Sequence, residues 1–210
     1  MLVTGAMGMA QEVLEVLVNE QGYNENNLCF FDNVNPDSYA LYNRFKILKT
    51  FEQAADYFKT KDVQFTLGLG HPKLREMMAT KFADLGGRLV SVVSNKAHIG
   101  SFETVVAEGC QIMQGVIITN NVHLGKGVLV NLNSTISHDS VIGDFTEIAC
   151  NVTIPGRCKI GNRVFIGSNA TINPDITIGD NVIIGAGAVV LKNIPANSTV
   201  AGNPAKPLTK

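Results

Sequence analysis

The sequence predicts an α/β domain at residues 1–92, a junction at residues 93–104, an all-β coil of parallel strands at residues 105–192 and an exit loop at residues 193–210. Two patterns predict this organisation. Short apolar runs alternate with helical stretches in the first part, and an aliphatic residue recurs at every sixth position in the second. A helix repeats about every 3.6 residues and a strand about every 2, so a period of six indicates a short strand followed by a turn.

The α/β domain is predicted from the order of its elements. Leu2 and Val3 begin a strand that leads into a glycine-containing turn, and residues 13–17 carry the apolar face of a helix. The later elements are a strand at residues 28–31, a strand at 65–69, a helix at 73–85 and a strand near 88–93. This alternation predicts a small Rossmann-like fold with fewer strands than a complete dinucleotide-binding domain.

The first turn of this domain is a candidate phosphate-binding element. A strand, a glycine turn and a helix in succession form a plan that cradles phosphate groups. Asp32 and Asn33 follow the second strand, about where an acidic residue meets a ribose or a base. A sugar-nucleotide diphosphate fits this domain better than NAD does. Many βα turns contain glycine for structural reasons alone, so the glycine motif by itself leaves both interpretations open.

The coil is predicted from fifteen aliphatic residues in one unbroken register. They are Val106, Ile112, Ile118, Leu124, Val130, Ile136, Ile142, Ile148, Ile154, Ile160, Ile166, Ile172, Ile178, Ile184 and Val190. A companion column two residues earlier, from Val116 to Ala188, is mostly small or β-branched and faces the same side of each strand. Three hexads make one triangular rung of eighteen residues. The run therefore predicts a prism of five rungs, roughly 24 Å long at a spacing of about 4.8 Å.

The turns between these strands are assigned to glycine and asparagine. These residues directly follow the aliphatic column at Gly125, Asn131, Gly143, Gly161, Gly167, Asn173, Gly179 and Gly185. Both residue types tolerate a positive φ, so we expect the left-handed corners at these positions.

Charge, hydropathy and cysteine spacing argue against several classes of protein. Seventeen basic residues against eighteen acidic residues give a net charge of -1, and no dense Lys/Arg stripe suits a nucleic acid. The first ten residues lack the charged and apolar pattern of a secretion signal, and no apolar run reaches about eighteen residues, so we expect neither secretion nor membrane insertion. Four cysteines without C-x-x-C spacing favour reduced thiols and a cytoplasmic protein.

The repeat and the segment after it resemble one family. Residues 105–192, followed by Val-Ala-Gly-Asn-Pro-Ala-Lys at residues 200–206, resemble the hexapeptide-repeat acyltransferases. This resemblance implies a left-handed parallel β-helix and a homotrimer. With the small α/β domain, the whole chain resembles the sugar acetyltransferases related to bacillosamine-pathway and perosamine N-acetyltransferases and to sialic acid O-acetyltransferases. In that group the small domain clamps a nucleotide, which implies nucleotide contacts from Gly5, Ala6, Gly8, Asp32, Asn33 and Gly70.

His138 is the candidate catalytic base. It lies two residues after the inward-facing Ile136, so we expect it at a solvent-exposed corner. Gly156, eighteen residues later, is expected to stack on it, leaving space and a backbone N–H that could hold an oxyanion. An amine that attacks a thioester must lose a proton, and histidine is the residue type best suited to accept it near neutral pH. The spacing alone is also typical of a solvated turn histidine.

The resemblance implies further site residues. Residues 131–139 match the catalytic stretch of the family, which implies a substrate contact from Asn131 and pairing of His138 with Asp139, where the family more often has Glu. The acyl donor lies between neighbouring coils, and the matching small residues are Gly156, Gly167, Ser168, Gly185 and Ala186. Lys206 resembles a contact for the phosphates of coenzyme A. The small residues also suit tight corners, so a purely structural role remains open for them.

We therefore expect acetyl transfer from acetyl-CoA to the amino group of a nucleotide-linked amino sugar, such as a 4-amino-4,6-dideoxyhexose, without a metal. The alternative within the family is O-acetylation of sialic acid or another free sugar hydroxyl. A metalloenzyme on the same coil would need three converging histidines, whereas only His123 and His138 lie in the coil, in different columns. A non-catalytic scaffold is the remaining class.

Overall fold

The computed structural model describes residues 1–208, which form two compact units. One unit contains residues 1–70 and 74–92, and the other contains residues 71–73 and the chain from residue 93 onward. Thr209 and Lys210, the last two residues of the predicted exit loop, lie outside the described residues.

The first unit is built on a six-stranded sheet in the order β3-β4-β2-β1-β5-β6. Its strands are β1 Leu2–Thr4, β2 Cys29–Phe31, β3 Ala40–Leu41, β4 Phe45–Leu48, β5 Gln64–Leu67 and β6 Arg88–Leu89, and its helices are α1 Met9–Asn19, α2 Phe51–Thr60 and α3 Pro72–Asp84. Only β3 is antiparallel to its neighbour. The five parallel strands have the Rossmann order, and the order reverses between β1 and β5, where such sheets bind ligands.

The predicted α1, α3 and four of the strands are present, whereas β3, β4 and α2 were not predicted. The helix α2 buries only Ala54 and Phe58, so its apolar periodicity is short. Its start is nevertheless well defined, because Thr50 and Gln53 form a reciprocal capping box. The ring of Phe58 packs at 6.0 Å from those of Phe65 and Phe82, which fastens α2 to the core.

The second unit is a left-handed parallel β-helix whose strands stack into three sheets, called faces A, B and C in chain order. Face A contains β9 Val105–Val106, β12 His123–Leu124, β15 Val141–Ile142, β18 Lys159–Ile160 and β21 Thr177–Ile178. Face B contains β7 Val92–Val93, β10 Gln111–Ile112, β13 Leu129–Val130, β16 Glu147–Ile148, β19 Phe165–Ile166, β22 Ile183–Ile184, β24 Thr199–Ala201 and the antiparallel β25 Lys206–Pro207. Face C contains β8 His98–Ile99, β11 Ile117–Ile118, β14 Thr135–Ile136, β17 Thr153–Ile154, β20 Thr171–Ile172 and β23 Val189–Val190. The chain passes from A to B to C, so the prism has edges A–B, B–C and C–A.

Both predicted columns form the interior of the coil. The aliphatic column from Ile112 to Val190 is buried, and Val106 at its start is partly buried. The companion column is buried too, and strands on each face pair at a separation of eighteen residues, as in Thr135 with Thr153. The prediction of an eighteen-residue rung is confirmed.

One rung of the interior has polar residues at its three companion positions. Ser134, Ser140 and Thr146 take companion positions and are fully buried. Each hydroxyl donates to a carbonyl and accepts a backbone N–H of the next rung; Ser140, for example, contacts the Pro155 carbonyl at 3.1 Å and the Cys158 N–H at 3.2 Å. These hydroxyls are therefore satisfied, and they tie consecutive rungs together at the level of His138.

The predicted position of the left-handed corners is wrong. Positive φ values occur three residues after the aliphatic column, as at Asn133, Asp139 and Asn151. The glycines that directly follow the column have another role, since a Cβ on Gly167 would lie 2.6 Å from the backbone nitrogen of Ala186. These glycines permit close stacking of successive rungs rather than a left-handed turn.

The coil extends beyond the predicted repeat at both ends. The strands β7 and β8 fall in or next to the predicted junction at residues 93–104, yet they stack beneath β10 and β11. The inward-facing residues Val93 and Ile99 are six positions apart in the sequence, whereas Ile99 and Val106 are seven positions apart. One extra residue in the turn between them therefore interrupts the six-residue period before Val106. At the other end, Ile194 follows Val190 after four residues, and the predicted exit loop contains β24.

Candidate active site

His138 lies on edge C–A, two residues after the end of β14, with about half of its side chain (55%) exposed. Its Nδ1 is 2.7 Å from Oδ2 of Asp139. The hydrogen bond with His138, followed by one from Asn121, holds the pKa of the Asp139 carboxyl below its ordinary value. An ionised carboxylate only accepts hydrogen bonds, so the neutral imidazole places its hydrogen on Nδ1 and its lone pair on Nε2.

Gly156 lies one rung above His138 and contacts its ring. A Cβ added to Gly156 would lie 2.6 Å from Cε1 and 2.7 Å from Nε2 of the imidazole. We expected open space above the ring at Gly156, but the imidazole fills the place that a Cβ of Gly156 would take. Within residues 1–208 the N–H of Gly156 has no hydrogen-bond acceptor, so this donor remains available beside the imidazole.

A column of polar side chains runs along edge C–A beside His138. It occupies the left-handed corner position of successive rungs at Glu103, Asn121, Asp139, Arg157 and Asp175. The Asn121 amide donates to Oδ1 of Asp139. Arg157 donates from Nε and Nη2 to the two oxygens of Asp175, at 2.6 and 2.9 Å. Sequence reasoning missed Asn121 and Arg157, although the eighteen-residue spacing applied to Asp139 finds both.

The residues predicted to contact the acyl donor divide between two edges. Gly156 shares edge C–A with His138, whereas the others follow strands of face B and lie on edge B–C. These are Gly167, Ser168, Gly185 and Ala186, together with Asn131. Face C separates the two groups within one chain. Gly185 also has a packing role, since a Cβ there would lie 2.8 Å from that of Ala201, whereas Ala186 is exposed.

Lys206 lines a cavity of about 400 Å³ formed by the end of the coil and the exit segment. Lys192 lines the same cavity and lies on edge C–A, fifty-four residues and three rungs beyond His138. At about 4.8 Å per rung, this places the base of Lys192 about 14 Å along the edge from His138. Sequence reasoning did not identify Lys192.

The residues predicted to hold a nucleotide follow the carboxyl ends of three neighbouring strands in the first unit. Gly5, Ala6 and Gly8 follow β1, Asp32 and Asn33 follow β2, and Gly70 follows β5. Gly8 caps α1 without a side-chain hydrogen bond. The turn after β1 is therefore built from backbone, and α1 directs its N-terminus, the positive end of the helix dipole, toward this turn.

Two further features at this edge of the sheet were not predicted, one after β5 and one after β2. Gly68 allows β5 to approach α1, because a Cβ on Gly68 would lie 2.7 Å from that of Ala10. Asp32 accepts hydrogen bonds from the backbone of Val34 and Asn35 and from the Asn35 amide. Burial alone would raise the pKa of Asp32, but these hydrogen bonds hold it below its ordinary value. The carboxylate therefore orders its own loop.

Metal-binding clusters and membrane-spanning helices are both absent from residues 1–208. No group of three or more His, Cys, Asp or Glu side chains could hold a metal ion there. In the same part of the chain, no helix has the length and apolar character needed to cross a membrane.

Two family models match the chain, one in each unit. The PglD N-terminal domain matches residues 1–82, and the bacterial transferase hexapeptide (six repeats) matches residues 157–192. With the fold and the exposed edge that carries His138, they define a hexapeptide-repeat transferase with a PglD-type N-terminal domain.

Solved structures resemble the chain over nearly its whole length. The acetyltransferase domain of PglB from Neisseria gonorrhoeae is 28% identical, with 99% of this chain and 98% of that chain covered and a TM-score of 0.90. WeeI from Acinetobacter baumannii is 28% identical, with the same coverage and a TM-score of 0.89. A mutant of perosamine N-acetyltransferase from Caulobacter crescentus, solved with CoA and GDP-perosamine, shares the fold at 23% identity, with 100% and 96% covered and a TM-score of 0.92. The two matched domains and the similarity to these structures support a hexapeptide-repeat sugar acyltransferase.

Proposed function

We propose that this chain transfers an acetyl group from acetyl-CoA to the amino group of a nucleotide-linked amino sugar, with His138 as the general base. The observation that carries the proposal is the pair of His138 and Asp139 on an exposed edge, because it leaves Nε2 of the imidazole as a free acceptor. The similarity to the PglB acetyltransferase domain, which is also solved in complex with acetyl coenzyme A, supports this donor.

The proposed reaction is a direct attack of the amine on the thioester. Nε2 of His138 removes a proton from the amine as the bond from nitrogen to the carbonyl carbon forms. The N–H of Gly156 donates to the oxyanion of the tetrahedral intermediate. When the carbon–sulfur bond breaks, the imidazolium returns its proton to the departing sulfur, and free CoA leaves. Asp139 stabilises the imidazolium and keeps the ring in the productive tautomer.

The nucleotide of the acceptor would bind at the carboxyl edge of the first unit. The N-terminus of α1, the positive end of its dipole, suits a diphosphate, and a ligand can approach the backbone at Gly8, where even an added Cβ would meet nothing within 4 Å. Asn33 and Gly70 would line the same edge. The glycines do not distinguish the base of the nucleotide, so the acceptor panel must test several.

The proposed assembly is a homotrimer. Asn131 and most of the proposed donor contacts lie on edge B–C, whereas His138 lies on edge C–A of the same chain. A neighbouring copy that presents its edge B–C to edge C–A would complete the site. We expect light scattering to give three times the chain mass of 22.5 kDa, and a fully active monomer would contradict this arrangement.

The test is release of CoA thiol with acetyl-CoA and a panel of UDP-, dTDP- and GDP-linked 4-amino-4,6-dideoxyhexoses. We expect turnover with at least one amino sugar, an N-acetylated product by mass spectrometry, and none with the matching 4-hydroxy sugar. Sialic acid serves as the free-sugar control. Turnover with sialic acid alone, or binding of none of the three nucleotides in calorimetry, would contradict the proposal.

A further inference from the structure

The carboxylate that contacts His138 belongs to a short side chain on a left-handed corner. Asp139 has a φ of 60°, a conformation that Asp tolerates but does not prefer, and its side chain is partly exposed (44%). An exposed carboxylate with free rotation would leave the imidazole part of the time. Its fixed orientation therefore needs a second contact.

Asn121 supplies that contact from the rung below. Its Nδ2 donates to Oδ1 of Asp139, while Oδ2 of the same carboxylate faces Nδ1 of His138. The two oxygens thus have different partners, which fixes the plane of the carboxylate. We propose that Asn121 is a positioning residue that orients Asp139 toward His138. This inference rests on the proposed function.

The charged neighbours of Asp139 explain why a neutral amide serves here. Glu103 lies one rung below Asn121, so Asn121 separates two acidic residues in the column. Arg157 lies one rung above Asp139, but Asp175 occupies both Nε and Nη2 of its guanidinium. A free arginine at this place would compete with His138 for the carboxylate. Asn121 provides the donor without adding a charge.

The test compares Asn121→Ala with Asn197→Ala as the matched control. Asn197 also adopts a left-handed corner, with a φ of 62°, and makes one side-chain hydrogen bond to a stacked asparagine. It lies on edge A–B, away from His138. Both variants lose one exposed hydrogen bond, and only Asn121→Ala releases Asp139. Each substitution is also made in an Asp139→Ala background.

We expect Asn121→Ala to lower kcat about tenfold, as for loss of one hydrogen bond of ordinary net strength, with the KM for both substrates unchanged. Asn197→Ala should stay within about twofold of wild type, in line with other surface substitutions. In the Asp139→Ala background, Asn121→Ala should have no further effect. Equal kcat for wild type and Asn121→Ala, or an undiminished loss without Asp139, would overturn the proposal.

A second readout does not depend on turnover. Nitrogen-15 chemical shifts of the labelled imidazoles, with His138 assigned by its loss in His138→Ala, report which ring nitrogen carries the hydrogen. We expect the Nδ1–H form at His138 in the wild type and in Asn197→Ala, and less of it in Asn121→Ala. An unchanged tautomer in Asn121→Ala would overturn the positioning role even if no acetyl acceptor were found, whereas absent turnover alone would overturn only the proposed function.

Discussion

Replacing Gly156 by alanine tests the contact between two successive rungs at the proposed site. The added methyl carbon would lie 2.6 Å from Cε1 of His138. Carbon atoms ordinarily approach to about 3.5–4.0 Å, so the imidazole must move by about 1 Å. The backbone imposes no cost of its own, because Gly156 has no positive φ and Ala186 occupies the same corner position elsewhere in the coil.

A displacement of about 1 Å in a catalytic group can reduce turnover about 100-fold, and we expect a loss of this size in kcat. The ring can swing toward solvent, so the free energy of unfolding should change by no more than about 0.5 kcal/mol. Thiol release measures the first quantity, and urea denaturation measures the second.

The control is the same substitution in a His138→Ala background. There the methyl group meets no imidazole, so Gly156→Ala should cause no further loss. A variant that keeps half of the wild-type kcat would refute the reasoning. An equal fractional loss with and without His138 would show that the methyl group acts elsewhere.

Three further predictions concern single substitutions. His138→Ala should retain its fold and bind CoA in calorimetry but lose about 100- to 10,000-fold in kcat, and near wild-type turnover would exclude it as the base. Ser140→Ala strands a carbonyl and an N–H of the next rung, so the free energy of unfolding in urea should fall by about 1–3 kcal/mol; an unchanged value would mean that these groups find other partners. Gly68→Ala forces a methyl group to 2.7 Å from the Cβ of Ala10, and overpacking should cost about 1–3 kcal/mol, with a lower melting temperature as the measure and an unchanged one as the contradiction.

The sequence predicts the coil well because each rung repeats the same burial pattern. Every sixth residue must be apolar to fill the prism, so the interior can be read without knowledge of distant contacts. The six-residue period does not hold at the two ends of the coil. One extra residue between Ile99 and Val106 breaks the six-residue period. The pairing of β8 with β11 and of β9 with β12 is intact, because the turn between β8 and β9 absorbs the extra residue.

The first unit is harder to predict because its elements depend on one another. The strand β4 and the helix α2 follow each other closely, and α2 buries only Ala54 and Phe58. Its stability comes from aromatic contacts with residues distant in sequence. Such contacts leave no periodic pattern, so these elements could not be assigned from the sequence.

The site was predictable to the extent that it follows the rung spacing. That spacing locates Gly156 above His138, and the structure brings the two into contact. It also locates Asn121 below Asp139, but the hydrogen bond between them depends on side-chain torsions that no repeat encodes. The left-handed corners were misplaced because the glycine or asparagine directly after the aliphatic column was taken to mark positive φ, whereas the residue three positions after the column adopts it, whether it is Gly127, Phe145 or Arg157.

Because every rung has the same height, distances along edge C–A between equivalent corner residues are whole multiples of that height. His138 and Lys192 are separated by three whole rungs, or about 14 Å, with Gly156 and Pro174 at the same position in the two rungs between them. Inserting one complete rung above the rung of Gly156 would lengthen this separation by about 4.8 Å and leave the contact between Gly156 and His138 intact. The span from the base to the far end of the edge can therefore vary only in fixed increments, a constraint that a flexible connection could not impose.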